Sequence, residues 1–259
     1  MSTPHDIGRW RKAQRAELLA RRTAVPAEQR RQWNDVITQH LVEGFPFLQW
    51  MTIGLYWPFR GELDPRFAMR RFRDCGARGA LPVVVRKNAP LQFREWWPGV
   101  PTTKGILDLP VPEGTRAVNP EAVLVPPVGF DAHGYRLGYG GGYFDRTLAA
   151  MAPEPLKIGV AFELSRIPTI RPQAHDIPMD FIVTECGIHY VAEEGLRLIN
   201  ESAHVLELAG DLIRARGRRA GDNPALVHGY AFASDRLVVR EYASPPCYIH
   251  ELDASYKDA

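Results

Sequence analysis

The chain has 259 residues, a net charge of +2 and three cysteines that lie far apart. This length suits one large domain, or one domain with an extension, and the small charge gives no general attraction to nucleic acid. No apolar run approaches the ~20 residues of a membrane helix, and the first 22 residues lack the apolar stretch of a signal peptide. Scattered cysteines in odd number favour a reducing compartment. We therefore predict a cytoplasmic protein with neither a nucleic-acid nor a membrane partner; the sequence leaves its oligomeric state open.

The first 31 residues form a basic segment with a helical apolar pattern. Eight arginine or lysine residues stand against three acidic ones. Arg11 and Arg15 are four positions apart, so they share one face of the predicted helix. Two interpretations stay open: this face is simply solvated, or it is a cationic site above a polyphosphate.

Helices and strands alternate along the next 160 or so residues. A second amphipathic helix starts at Pro26 and runs to Leu41, and Asp64 with Pro65 begins a third that runs to about Cys75. Short apolar runs predict strands over residues 51–56, 81–85, 91–97, 122–130, 156–162 and 181–185. The alternation predicts a mostly parallel α/β sheet.

The loop over residues 57–64 follows the predicted strand 51–56 at its carboxyl end. Ligands of open α/β sheets bind at that edge. Trp57 and Glu62 are the two side chains in this loop that we single out. Trp57 can be a core residue or a pocket wall, and Glu62 can be a surface carboxylate or a ligand contact.

A glycine-rich segment over residues 134–146 lies between a predicted strand and a predicted helix. Such a loop lets backbone N–H groups approach an anion, and the helix N-terminus adds positive potential. Arg136 and Arg146 bracket it, and Asp145 offers a hard oxygen for Mg²⁺. Tyr143 stands where a dinucleotide fingerprint needs glycine, and no lysine follows the glycines as in a P-loop. A glycine-rich turn without a ligand is the alternative.

The segment 127–131 followed by 136–146 resembles the signature of the 5-formyltetrahydrofolate cyclo-ligase family, also called 5,10-methenyltetrahydrofolate synthetases. The resemblance covers about residues 9–190. It implies a three-layer, Rossmann-like sheet, mostly parallel, with helices on both faces. It also implies the substrates 5-formyltetrahydrofolate and ATP, with Mg²⁺, and leaves the length of any polyglutamate tail open. In the implied reaction ATP phosphorylates the formyl oxygen, N10 closes the ring through an iminium phosphate, and ADP and phosphate are released.

The same resemblance assigns roles outside the glycine loop. Residues 11–15 are similar to the family's Lys-x-x-x-Arg segment, which contacts ATP. Arg11 replaces the lysine, Arg15 matches the arginine, and Lys12 is an adjacent alternative. Trp57 is implied to line the substrate pocket, and Glu62 to hydrogen-bond the reduced pterin.

Within the loop, the resemblance implies catalytic roles for three residues. Arg136 would stabilise phosphate charge, Asp145 would hold Mg²⁺, and Tyr143 would pack against the substrate. Asp180 is a second candidate ligand for Mg²⁺. The implied ATP contacts are Arg136, Gly138, Tyr139, Gly140, Gly141, Gly142, Tyr143 and Phe144.

Residues 201–259 lie beyond the family's usual end. A helix is predicted over residues 204–216 and a strand over 237–239. We therefore predict a catalytic domain over residues 1–200 and a C-terminal extension over 201–259. An accessory subdomain, a dimer contact and a partner-binding segment all remain open roles for it.

Two other functions compete with the ligase. One is a relative that binds folate or a nucleotide but has lost ligase activity, which the substitution at Arg11 makes conceivable. The other is a sugar-phosphate isomerase on a similar fold, which would need no ATP.

Overall fold

A computed structural model describes residues 4–106, 108–216, 230–233 and 236–239. Its helices are α1 (Pro4–Ala24), α2 (Ala27–Gly44), α3 (Arg66–Asp74), α4 (Tyr143–Ala150) and α5 (Ser202–Ala215), with short 3-10 helices at Pro46–Trp50 and Glu163–Ser165. In this part of the chain no helix is long and apolar enough to cross a bilayer.

Nine strands form the main sheet. From one edge to the other they are β13 (Gly195–Ile199), β12 (Gly187–Ala192), β11 (Phe181–Thr184), β10 (Leu156–Val160), β7 (Ala122–Val125), β1 (Thr52–Gly54), β2 (Arg78–Val83), β3 (Gln92–Trp96) and β6 (Ala117–Val118). Three hairpins stand apart from this sheet: β4 (Thr102–Lys104) with β5 (Pro110–Pro112), β8 (Gly129–Phe130) with β9 (Arg136–Leu137), and β14 (Tyr230–Ala233) with β15 (Arg236–Val239).

The centre of the sheet is parallel and its edges are antiparallel. β2, β1, β7, β10 and β11 pair in parallel. β3 and β6 extend one side, and β12 and β13 the other, by antiparallel pairing. The α/β class predicted from the alternation is confirmed, and the sheet is mixed because antiparallel strands flank its parallel centre.

The strand order reverses between β1 and β7. From β1 the chain moves outward to β2, then returns to β7 on the other side of β1 and continues outward to β10 and β11. Such a reversal leaves a crevice at the carboxyl ends of the two diverging strands, where open α/β sheets bind ligands. The fold therefore points to the segments that follow β1 and β7.

Side chains alternate along the central strands between two apolar clusters. In β7, Ala122 and Leu124 belong to one cluster, and Val123 and Val125 to the other. Helices α2, α3 and α5 contribute to the first cluster, and α4 contributes Leu148 to the second. Since alternate residues of a strand face opposite sides, helices cover both faces of the sheet.

Helix α5 completes the first cluster. Val205, Ala209 and Ile213 are buried in it. Just beyond the helix, Arg216 donates hydrogen bonds to the Asp180 carboxylate at 2.6 and 2.9 Å and to the Pro155 carbonyl at 2.9 Å. The predicted boundary at residue 200 therefore does not mark the end of the core. The predicted strand at 237–239 lies within β15.

Ending the chain after Glu201 should abolish the stable fold. The deletion uncovers apolar residues that α5 buries, and about 1.5–3 kcal/mol is lost for each large side chain that loses its burial. Several such losses approach the whole stability of a domain. Soluble yield and thermal unfolding of this chain should be compared with a chain ended after Gly217, which keeps α5 and Arg216. Equal unfolding midpoints would show that α5 is dispensable.

Candidate active site

Three segments meet at the strand-order reversal. The loop over residues 55–65 leaves β1, and after β7 the hairpin of β8 and β9 leads into the glycine loop, residues 138–142, and then α4. The third segment is α1, whose side chains reach both loops.

The glycine loop has a conformation that glycine alone adopts easily. Gly140 and Gly142 have φ angles of +98° and +63°. A Cβ at Gly140 would lie 3.4 Å from the Arg15 Cζ, and one at Gly142 would lie 2.8 Å from the Arg146 Nη1. Gly142 is the N-cap of α4 and provides no capping side chain, so the first N–H groups of the helix keep free hydrogens. The loop is thus built for close approach of arginines and of an anion.

Arg15 is the cation that meets this loop. Its Nε donates to the Gly138 carbonyl at 2.6 Å. Within the described ranges no carboxylate forms an ion pair with its guanidinium. Burial lowers the pKa of Arg15, and the adjacent positive charge of Arg11 lowers it further. The negative charge of Asp176 opposes these effects from beyond ion-pair distance. A partly buried cation without an ion-pair partner is a site for an anionic ligand.

Arg11 and Lys12 are placed differently. Arg11 pairs with Asp176, at 2.5 Å and 3.2 Å, and donates to the carbonyls of Ile170 and Arg171. Lys12 is exposed to solvent. Of the three cations of α1 that were predicted to contact ATP, the structure brings only Arg15 to the glycine loop without an ion-pair partner among the described residues.

Arg136 lies buried within the site. Its side chain is 3% exposed; Nη2 donates to Asp145 Oδ1 at 2.8 Å and Nη1 to the Ile177 carbonyl at 2.6 Å. Burial lowers the pKa of Arg136, against the raising effect of Asp145. Arg136 therefore ties the start of the glycine loop to α4 and to the segment around Ile177.

Asp145 retains one free oxygen. Arg136 and the Ile177 N–H both donate to Oδ1, and no donor among the described residues reaches Oδ2. The described chain contains no group of three or more metal-binding side chains. This set fits a Mg²⁺ ion held mainly by phosphate oxygens and water, with a single carboxylate oxygen from the protein.

Asp180 is not available as the second metal ligand, which corrects that prediction. It precedes β11, so it lies at the amino end of a parallel strand. Its carboxylate accepts hydrogen bonds from Arg216 and the Lys157 N–H, and Lys157 Nζ lies 3.4 Å away. Arg216 and Lys157 already neutralise this buried carboxylate. Asp180 therefore has no oxygen left to bind Mg²⁺.

Tyr143 and Phe144 open helix α4 and point in different directions. The guanidinium of Arg146 lies over the Tyr143 ring, 5.2 Å from its centroid, and Arg146 also donates to the Gly141 carbonyl at 2.5 Å. Its buried Nε finds no acceptor in the described residues. Phe144 packs against the second apolar cluster. This corrects the prediction that Phe144 contacts ATP.

The loop after β1 presents Glu62 and two aromatic rings to the same crevice. Tyr139 of the glycine loop donates to Glu62 Oε1 at 2.8 Å, and its ring centroid lies 6.0 Å from that of Phe59. Arg66 lies over the Trp57 ring at 4.2 Å. Trp57 and Glu62 are therefore on one loop that is hydrogen-bonded to the glycine loop.

Glu62 is buried as a carboxylate, with a side chain that is 4% exposed. Burial raises its pKa to about 7, although Arg22 and the Tyr139 hydrogen bond act in the opposite direction. The group therefore changes charge near neutral pH, as binding-site carboxyls often do.

Replacing Glu62 by glutamine should stabilise the protein at pH 8. The folded-state pKa of Glu62 lies above the ordinary 4.5. Its contribution to the free energy of unfolding is therefore fully present below pH 4.5 and is lost as the pH rises to 7. The difference corresponds to about 3 kcal/mol above pH 7, which a neutral side chain avoids. Urea unfolding at pH 5 and pH 8 should show a gain at pH 8 only. An equal loss at both pH values would contradict the raised pKa.

Three residues that contribute to the site were not predicted. Arg22 is buried and contacts both loops. Asp131 is buried and accepts hydrogen bonds from the backbone N–H groups of His133, Tyr135 and Ile170, and Asp176 holds Arg11. Arg22 had a signal in the sequence, because it lies seven residues after Arg15 and so on the same face of α1.

Comparison with known proteins identifies the family of this chain. The model of the 5-formyltetrahydrofolate cyclo-ligase family matches residues 7–185, so the chain belongs to this family. It is 28% identical to the 5-formyltetrahydrofolate cyclo-ligase of Escherichia coli K12 over 174 residues, covering 64% of this chain and 96% of that protein. It is 31% identical to the cyclo-ligase of Mycolicibacterium smegmatis over 141 residues, covering 51% and 73%.

Two solved structures are similar to the chain. The 5,10-methenyltetrahydrofolate synthetase of Aquifex aeolicus is 28% identical, with a TM-score of 0.61 over 73% of this chain and 96% of that one. The synthetase of Mycoplasma pneumoniae is 24% identical, with a TM-score of 0.56 over 68% and 98%, and supports the fold alone.

Proposed function

We propose that this protein converts 5-formyltetrahydrofolate and ATP into 5,10-methenyltetrahydrofolate, ADP and phosphate. The observation that carries the proposal is Arg15, a partly buried cation without a carboxylate partner that lies against the glycine loop. A polyphosphate supplies the missing negative charge. The loop after β1, which Tyr139 joins to the glycine loop, then receives the folate beside it.

The chemistry asks the protein for positioning rather than for a nucleophile. The formyl oxygen attacks the γ-phosphorus of ATP, and the bond to ADP breaks. N10 then attacks the formyl carbon, the carbon–oxygen bond breaks, and phosphate leaves with that oxygen as N10 loses its proton. Phosphoryl transfer of this kind is accelerated mainly by placing the reactants and stabilising charge.

Each residue has a part in this arrangement. Arg15, the free donor Arg146 Nε and the N–H groups that begin α4 stabilise charge on the transferred phosphoryl group. Glu62 accepts hydrogen bonds from the pterin, and Trp57 and Tyr143 form walls of the pocket. Arg136 holds the loop in shape for both substrates.

We place Mg²⁺ with the ATP phosphates, with Asp145 Oδ2 as its one protein ligand. When bound, the ion neutralises charge on the phosphate oxygens. The two helix-covered faces and the reversal of strand order support a Rossmann-like, three-layer arrangement. The thiol of Cys186 forms no disulfide, as is usual in a reducing compartment, and this supports a cytoplasmic location.

The test is absorbance in the methenyl-folate band with purified protein, 5-formyltetrahydrofolate and Mg²⁺, with and without ATP. We expect a rise only when ATP is present. Binding of 5-formyltetrahydrofolate without a rise would instead favour the relative that binds folate without ligase activity. Failure to bind either substrate, together with stabilisation by sugar phosphates in thermal unfolding, would favour the isomerase.

A further inference from the structure

We infer that Arg22 is a positioning residue that favours the ionised form of Glu62 and aims its carboxylate through the hydroxyl of Tyr139. The inference rests on the proposed function, because it concerns how Glu62 receives the folate.

The three side chains form a continuous hydrogen-bonded relay, in which the two charged ends are buried and the Tyr139 ring is partly exposed. Arg22 Nη2 donates to the Tyr139 hydroxyl at 2.6 Å, and that hydroxyl donates to Glu62 Oε1 at 2.8 Å. Arg22 Nη2 itself lies 3.7 Å from the same Oε1 atom. The side chains of Arg22 and Glu62 are each 4% exposed, so little solvent screens their attraction.

Arg22 is fixed in place by both loops that form the crevice. Its Nε donates to the Arg60 carbonyl at 3.1 Å, and Nη1 donates to the Pro127 carbonyl at 3.3 Å. Arg60 belongs to the loop after β1, and Pro127 follows β7. One arginine therefore spans the point where the strand order reverses, and its remaining nitrogen is directed at Tyr139 and Glu62.

Other charged groups nearby do not take this role. Arg60 turns its guanidinium onto the Phe59 ring, at 5.0 Å, and Arg66 pairs with Asp64 at 2.6 Å. Tyr56 donates to the Leu63 carbonyl, and burial keeps its pKa well above the ordinary value. Burial and the adjacent Glu62 also raise the pKa of Tyr139, so that its hydroxyl remains a donor to the carboxylate.

The protonation state of Glu62 decides what it offers the folate. An ionised carboxylate accepts hydrogen bonds from N–H donors with both oxygens, whereas a protonated one presents a donor on one of them. Burial raises the pKa of Glu62, and the positive charge of Arg22 opposes this rise. Without that charge the pKa of Glu62 should be higher still. The acid limb of the profile of kcat/KM for 5-formyltetrahydrofolate against pH should then move to higher pH.

The experiment compares pH profiles of four proteins: the unchanged chain, Arg22→Met, Arg22→Lys and Tyr139→Phe. Arg22→Met should lower kcat/KM for the folate about threefold at pH 7.5 and about tenfold well below pH 7, and should recover most of it at pH 9, because the acid limb moves up by about one pH unit. Arg22→Lys should shift the limb less. Tyr139→Phe should shift the acid limb in the same direction as Arg22→Met. Because it removes only one oxygen from a partly exposed ring, it can be tested even if Arg22→Met folds poorly.

The matched control is Arg21→Met, since Arg21 is the exposed neighbour on the same helix; its profile should match that of the unchanged chain. A uniform loss in the Arg22 and Tyr139 variants, with the acid limb unmoved, would overturn the inference and leave a structural role. If the unchanged chain forms no methenyl product, the proposed function fails first. Calorimetric titration of 5-formyltetrahydrofolate at pH 6 to 9 then tests the relay on binding alone, where the same shift in affinity is expected.

Discussion

Replacing Arg15 by alanine should lower kcat/KM for ATP by about a hundred- to a thousand-fold. Arginines that contact a transferred phosphoryl group typically contribute effects of this size or larger. The structure gives Arg15 this position because its Nε is fixed by the Gly138 carbonyl and its guanidinium, near Gly140, has no carboxylate partner in the described chain. Steady-state kinetics at saturating folate measure the loss.

The same variant should bind 5-formyltetrahydrofolate with unchanged affinity and unfold at a temperature no lower than that of the unchanged chain, because no ion pair is broken. Arg21→Ala is the control for loss of one positive charge from α1. Arg15→Lys should recover part of the activity, since a lysine keeps the charge without the planar fork. Normal ATP kinetics in Arg15→Ala would remove this residue from the nucleotide site.

Replacing Arg136 by methionine should affect both stability and turnover. Removal of one partner from a buried, hydrogen-bonded ion pair typically costs about 3–5 kcal/mol. Here it leaves the Ile177 carbonyl without its donor and leaves the Asp145 carboxylate with only the Ile177 N–H. Turnover should fall at least a hundredfold, because the glycine loop loses its tie to α4. Urea unfolding and kcat at saturating substrates measure the two effects.

The double variant Arg136→Met with Asp145→Asn separates these effects. It should regain part of the stability, since no unpaired carboxylate remains, and regain none of the turnover. If Arg136→Met loses stability but turns over normally at a temperature where it is folded, Arg136 is a structural residue only.

The sequence predicted those features that depend on local chemistry. The α/β class follows from the alternation of apolar runs and amphipathic helices, and the glycine loop follows from consecutive glycines between a strand and a helix. Gly140 and Gly142 have the positive φ angles that make glycine necessary there. The aligned positions of Arg11 and Arg15 on α1 were also predictable from helix geometry.

The pairing of side chains across the fold was not predictable in the same way. Arg11 and Arg15 look equivalent in the sequence, but Asp176, which is 165 residues from Arg11, forms an ion pair with Arg11 and none with Arg15. In the sequence, Asp180 is a candidate metal ligand, but in the structure Arg216, 36 residues later, donates a hydrogen bond to its carboxylate. That contact depends on α5, a helix beyond the end of the family match. The apolar pattern predicted this helix but did not show which surface it packs against.

The most direct test of the proposed chemistry follows the formyl oxygen. The protein is incubated with ATP, Mg²⁺ and 5-formyltetrahydrofolate carrying ¹⁸O in the formyl group, and the inorganic phosphate released is analysed by mass spectrometry. If ATP phosphorylates the formyl oxygen before N10 closes the ring, each phosphate formed with a methenyl product carries one ¹⁸O atom. Methenyl product accompanied by unlabelled phosphate would contradict this account, because the formyl oxygen would then have left as water.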